Sequence, residues 1–158
     1  MTDLDVGTGA TVDDAALEDL GPVDYVVLEW PDRQPAGEVA PHLLALSDSG
    51  TIRILDIAIV AKDADGSLRA IDIGDLDGAA AAFNAFGDAS SGLLDFEDLQ
   101  EASQALEPGT CAAVIVWENR WAAPVARAMR ESGGQLVASG RIPVQALLAS
   151  LDALEATT

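Results

Sequence analysis

The sequence predicts an α+β fold built from two interleaved strand-helix-strand units, and three observations predict it. First, the chain repeats itself: Val27-Leu28-Glu29-Trp30 with Arg33 is echoed by Val114-Ile115-Val116-Trp117 with Arg120, and in each copy an Ala-Pro pair, Ala40-Pro41 or Ala123-Pro124, enters an amphipathic stretch that ends in Ser-Gly, at Ser49-Gly50 or Ser132-Gly133. Second, a run of β-branched and aliphatic residues follows that glycine in both copies. Third, 158 residues at 49% hydrophobic content suffice to bury one core without a metal or disulfide staple.

The elements follow in order. Residues 1–20, acidic and Gly/Thr-rich before a short Ala-Ala-Leu-Glu-Asp-Leu stretch, read as a flexible or weakly helical arm, and 21–158 as a single domain. Asp24–Trp30 is a strand, and Pro31 and Pro35 make the next segment a loop, since proline removes a backbone donor and fixes φ. Val39, Leu43, Leu44 and Leu46 give a helical face between Gly37 and Asp48, with Pro41 in its first turn. Thr51–Lys62 is the strongest strand, its apolar run Ile57–Ala61 implying burial on both faces. Asp65-Gly66 supplies the positive φ of a tight hairpin turn, and Ser67–Ile73 returns as a strand.

The Ala-rich stretch Ala79–Phe86 sets Phe83 and Phe86 at helical spacing, and Asp95–Leu106 is a helix opened by an Asp cap with Asp98 three residues on. Cys111–Glu118 is a strand, Ala122–Ser132 a helix, Gln135–Ile142 a strand and Val144–Leu154 a closing helix after Pro143. This succession fits a ferredoxin-like sandwich: a five-stranded, mainly antiparallel sheet in the order fifth, first, fourth, second, third, with helices on one face.

Composition excludes several functions. With 27 acidic residues against 8 Lys plus Arg, the net charge of −19 repels phosphate backbones and anionic lipids, so nucleic-acid and membrane binding are not expected. The single Cys111 makes no intramolecular disulfide, the first residues lack the basic and apolar regions of a signal peptide, and no uncharged apolar run nears the roughly 20 residues of a membrane span. A cytoplasmic protein without cofactor or metal is expected. His42, alone, is no metal site; Asp63, Asp65 and Gly66 lack the further acids of a calcium loop; Cys111 reads as a buried thiol with no cation near it in sequence.

The successions Gly21-Pro22-Val23-Asp24-Tyr25-Val26-Val27, Asp48-Ser49-Gly50-Thr51-Ile52-Arg53-Ile54-Leu55-Asp56, Val60-Ala61-Lys62-Asp63-Ala64-Asp65-Gly66, Pro108-Gly109-Thr110 and Val116-Trp117-Glu118-Asn119 resemble a small bacterial family filed as domain of unknown function 6325. That family is similar in turn to the larger set called domain of unknown function 1269. The resemblance spans roughly residues 21–143 and implies a shared fold with no established activity. Members of the larger set carry a Gly-rich apolar insert, but the corresponding Asp77–Leu94 is short and broken by Asn84, Asp88 and serines, so no membrane association carries over.

Two functional expectations result. The preferred one is a non-enzymatic association module, a homo-oligomer or the binder of a protein partner, that uses the helix-free sheet face (Val27, Ile57, Ile59, Ile115) with Trp30, Arg33, Trp117, Arg120 and Trp121 as strand-end anchors. The alternative is a small-molecule site on that open face, with Glu29 or Glu118 as the acid and Arg33 or Arg120 as an anion clamp; no paired nucleophile and base supports catalysis.

Overall fold

The computed structural model describes residues 20–32 and 34–157; the expected N-terminal arm, but for Leu20, and Arg33 lie outside them. The chain divides into two compact units, with the boundary between Ala128 and Met129.

The first unit is built on four antiparallel strands: β1 (Val23–Trp30), β2 (Ile52–Lys62), β3 (Leu68–Ile71) and β4 (Cys111–Asn119), in the spatial order β1-β4-β2-β3. These four strands stand in the relative order expected of them. β4 is central because every residue from Cys111 to Val116 is apolar and buried, as a strand packed on both faces requires. Its register pairs Val27 with Val114 on β1 and Ile57 with Ile115 on β2, and a bulge between Ile54 and Asp56 turns the Asp56 side chain onto the face that bears Val116.

One face packs Ile57, Ile59, Ala113 and Ile115 against α1 (Val39–Asp48) and a long 3-10 helix, Gly78–Ala89, through Ala40, Phe83 and Phe86. The helical spacing of Phe83 and Phe86 thus survives in a 3-10 segment. A reciprocal amide clasp anchors this segment: Gln34 Nε2 donates to Asp77 Oδ1 at 2.8 Å, and Asp77 N donates to Gln34 Oε1 at 3.0 Å.

The opposite face is not free of helices, contrary to expectation. There Leu99 of α2 (Phe96–Ala102) and Leu106 cover Val60, Ala112 and Val114. The cause lies in the loop that precedes α2. Asp56, buried on this face, accepts the amides of Ser91 at 3.0 Å and Leu94 at 2.8 Å, and so draws the chain across the sheet edge before the helix begins. The Asp95 and Asp98 side chains then cap α2 reciprocally, each accepting the other's backbone N–H.

The β2–β3 hairpin forms as its sequence requires. Gly66 takes φ +87°, Asp63 N donates to Ser67 O at 2.8 Å, and the Ser67 hydroxyl and amide both donate to Asp65 Oδ1, which holds that carboxyl below its usual value.

After β4, a 3-10 turn (Arg120–Ala122) leads into α3 (Ala123–Glu131), within which the unit boundary falls. In the second unit, Gly133 at φ +83° and the Gly134 N–H, which bonds Met129 O at 2.9 Å, close the helix end. The expected fifth strand is absent: residues 135–142 are exposed and irregular, and α4 (Val144–Ala156) follows Pro143. A strand with only Val137 and Ile142 as strong β formers, split by Ala-Ser-Gly, needs a partner to hold it, and its own residues do not suffice. Among the described residues no helix is long and apolar enough to cross a membrane.

Candidate functional site

Among the described residues β1 is an edge strand of eight residues, and its first half meets the end of β4. Antiparallel pairing sets Asp24 opposite Trp117 and Val23 opposite Glu118. Asn119 ties the corner together. Its amide nitrogen donates to Asp24 Oδ2 at 2.8 Å and Pro22 O at 3.1 Å, while its amide oxygen accepts both indoles, Trp117 Nε1 at 3.1 Å and Trp121 Nε1 at 3.3 Å. It therefore organises two tryptophans instead of capping the next helix. Gly21 completes the corner, because any Cβ there would collide with the Asn119 carbonyl and crowd the Ala123 methyl.

The two indoles differ in burial. Trp117 packs half-buried against the core, whereas Trp121 is 66% exposed with its one donor already bonded, leaving an apolar ring in water. Val125, four residues on and exposed, shares its side of the helix start. On the adjoining sheet face, Val23, Tyr25 and Val27 alternate along β1 at the margin that α2 leaves; Tyr25 is 68% exposed.

The expected site residues divide. Val27 belongs to this margin, but Ile57, Ile59 and Ile115 lie on the other face, buried beneath α1 and the 3-10 helix. They are core and offer nothing to a partner. Trp30 stands opposite Cys111, at the far end of β1 from the corner, and packs edge-on to Phe83 with ring centroids 6.2 Å apart. Arg120 is exposed at the corner and Arg33 lies outside the described residues. Val23, Tyr25 and Val125 were missed, although an alternating edge strand and an i, i+4 pair are both readable patterns.

The acid groups suggested for a small-molecule cleft are engaged. Glu118 is 4% exposed, accepts Gly21 N at 2.7 Å on Oε2, and sets Oε1 3.0 Å from Arg53 Nε at an angle that is not a hydrogen bond's. Glu29 accepts Glu107 N at 2.8 Å and Thr110 Oγ1 at 3.1 Å. Cys111 is buried, and desolvation together with the Asp32 carboxylate pushes its thiol up to about 11, against the weaker opposing effect of a backbone hydrogen bond at Trp30. His42 is exposed on α1.

Fold and corner together define an α+β protein with an open antiparallel sheet and an aromatic strand-end surface. Over residues 19–158 the sequence matches the model of a family of unknown function, DUF6325, and the chain belongs to that family. No curated protein and no solved structure matches the chain.

Proposed function

We propose that the protein is a non-enzymatic association or regulatory module whose contact surface is the β1–β4 corner, and that its first partner is a second copy of itself. The observation that carries this reading is the exposed Trp121 ring, held in place by Asn119 at the end of β4, on the strand to which β1 pairs its partly exposed residues Val23, Tyr25 and Val27. An indole fixed by its own hydrogen bond loses little freedom on contact and buries a large area, and tryptophan leads the residues that anchor interfaces. Among the described residues the outer edge of β1 is unpaired, and its backbone donors and acceptors are ones that a two-fold related β1 satisfies, extending the sheet. The five-stranded, ferredoxin-like reading belongs here as well: it leaves one strand's place beside β1 to be filled.

The net charge of −19 opposes self-association, and the opposition weakens as salt shortens the Debye length to about 8 Å at physiological ionic strength. Sedimentation velocity on Tyr25→Glu tests the reading. A charge on the margin abolishes the assembly formed by the parent protein; an unchanged distribution of species refutes the assignment of this surface.

A further inference from the structure

We propose that the cleft between α2 and the β2–β3 hairpin is a binding site for a small planar organic carboxylate. The site is separate from the association corner and does not depend on it. Phe96, Gln100, Ser103 and Gln104, spaced by four, three and one, share one side of α2 and of the turn that follows it. Facing them, the hairpin presents Leu68, and Lys62 completes the lining of a cavity of about 420 Å³, within the roughly 300–1,000 Å³ of small-ligand sites.

Two polar groups in this cleft are under-used. Lys62 is the only lysine of the chain. Its ammonium donates to Leu106 O at 3.0 Å and more weakly to Ser103 O at 3.5 Å, and since it carries three N–H groups, one is left over among the described residues. Ser103 is 3% exposed, yet its hydroxyl has no hydrogen-bond partner among the described residues. A buried hydroxyl left unsatisfied costs stability, and a ligand that accepts its proton recovers it.

The neighbouring hairpin acids already have donors of their own. Asp63 pairs with Arg69 at 3.3 Å, and Asp65 takes the Ser67 amide and hydroxyl. A carboxylate is the acceptor that serves both vacant donors at once, because it offers two oxygens and pairs with the ammonium charge. The exposed Phe96 ring and Leu68 suit a flat apolar body behind that carboxylate, and Gln100 and Gln104 complete the polar part of the lining.

The single lysine makes the test direct. In full-length protein grown with isotopically labelled lysine, the Lys62 side chain gives one set of NMR signals, which is followed while benzoate is added, with benzamide as the neutral control. The expected result is a saturable shift with benzoate, little response to benzamide, and binding weakened roughly tenfold in Ser103→Ala, as loss of a hydrogen bond to a charged group implies. Phe96→Ala, at an exposed position, weakens binding without unfolding the chain. The proposal is overturned if benzoate produces no saturable shift in the folded parent, if benzamide matches it, or if both variants bind like the parent.

Discussion

Asp56 is the residue through which the fold comes to have helices on both sheet faces, and replacing it by Ala tests that account. Its carboxylate accepts three backbone amides: Ile57 N at 2.9 Å, Ser91 N at 3.0 Å and Leu94 N at 2.8 Å. The Ile57 bond is local, so the two long-range bonds decide the cost. Hydrogen bonds to a charged group contribute about 1.5–3 kcal/mol each. Water reaches the part-buried Ser91 and Leu94 amides once the loop is released, which favours the lower figure, and Ser91 Oγ retains its 2.7 Å bond to Leu55 O. Asp56→Ala therefore loses about 3 kcal/mol by urea denaturation, with a Tm lower by roughly 10 °C. Asp56→Asn keeps one acceptor oxygen and falls between. Hydrogen exchange at Ser91 and Leu94 accelerates in both variants. A loss below about 1 kcal/mol in Asp56→Ala, or unchanged exchange at those two amides, refutes the clamp.

Two further outcomes follow from close packing and burial. Gly37→Ala drives a methyl into the backbone of Ala79, where neither α1 nor the 3-10 helix gives way easily, and costs about 1–3 kcal/mol in the same denaturation assay. The raised Cys111 thiol keeps its proton in the folded state between its ordinary value of 9.0 and about 11, where the unfolded chain has lost it. The unfolded state then binds fewer protons, so the stabilising contribution present below pH 9.0 is lost as pH rises through about 11, and Cys111→Ala flattens this part of the pH–stability curve.

Much of the fold was legible because its signals are local. The Asp65-Gly66 turn, the Asp95 and Asp98 capping pair and the β-rich runs of all four strands each specify their own geometry. The double burial of Ile57–Ala61 was legible too, and it already implied cover on both faces; the run Cys111–Val116 carries the same signal, so the expectation of a helix-free face disagreed with the sequence itself. That is why Ile57, Ile59 and Ile115 proved to be core. The course of the chain from Asp56 to α2 was not legible, because it rests on one buried carboxylate and amides 35 and 38 residues away. Residues 135–142 misled for a related reason: strand formation depends on a partner, which periodicity does not reveal. At the corner, Trp117-Glu118-Asn119-Arg120-Trp121 stood out in the sequence, but the part of Asn119 as common acceptor for two indoles depends on the β1–β4 register.

The central claim is that the β1–β4 corner is a contact surface centred on Trp121. Light scattering coupled to size exclusion, on the 16.3 kDa full-length chain and on Trp121→Ala across a range of salt concentrations, tests it most directly. The account predicts an assembly larger than one chain that strengthens with salt in the parent protein and dissociates in the variant, with the folded state retained because the ring is exposed. A parent protein that stays monomeric at every salt concentration, or an assembly indifferent to the loss of Trp121, contradicts it.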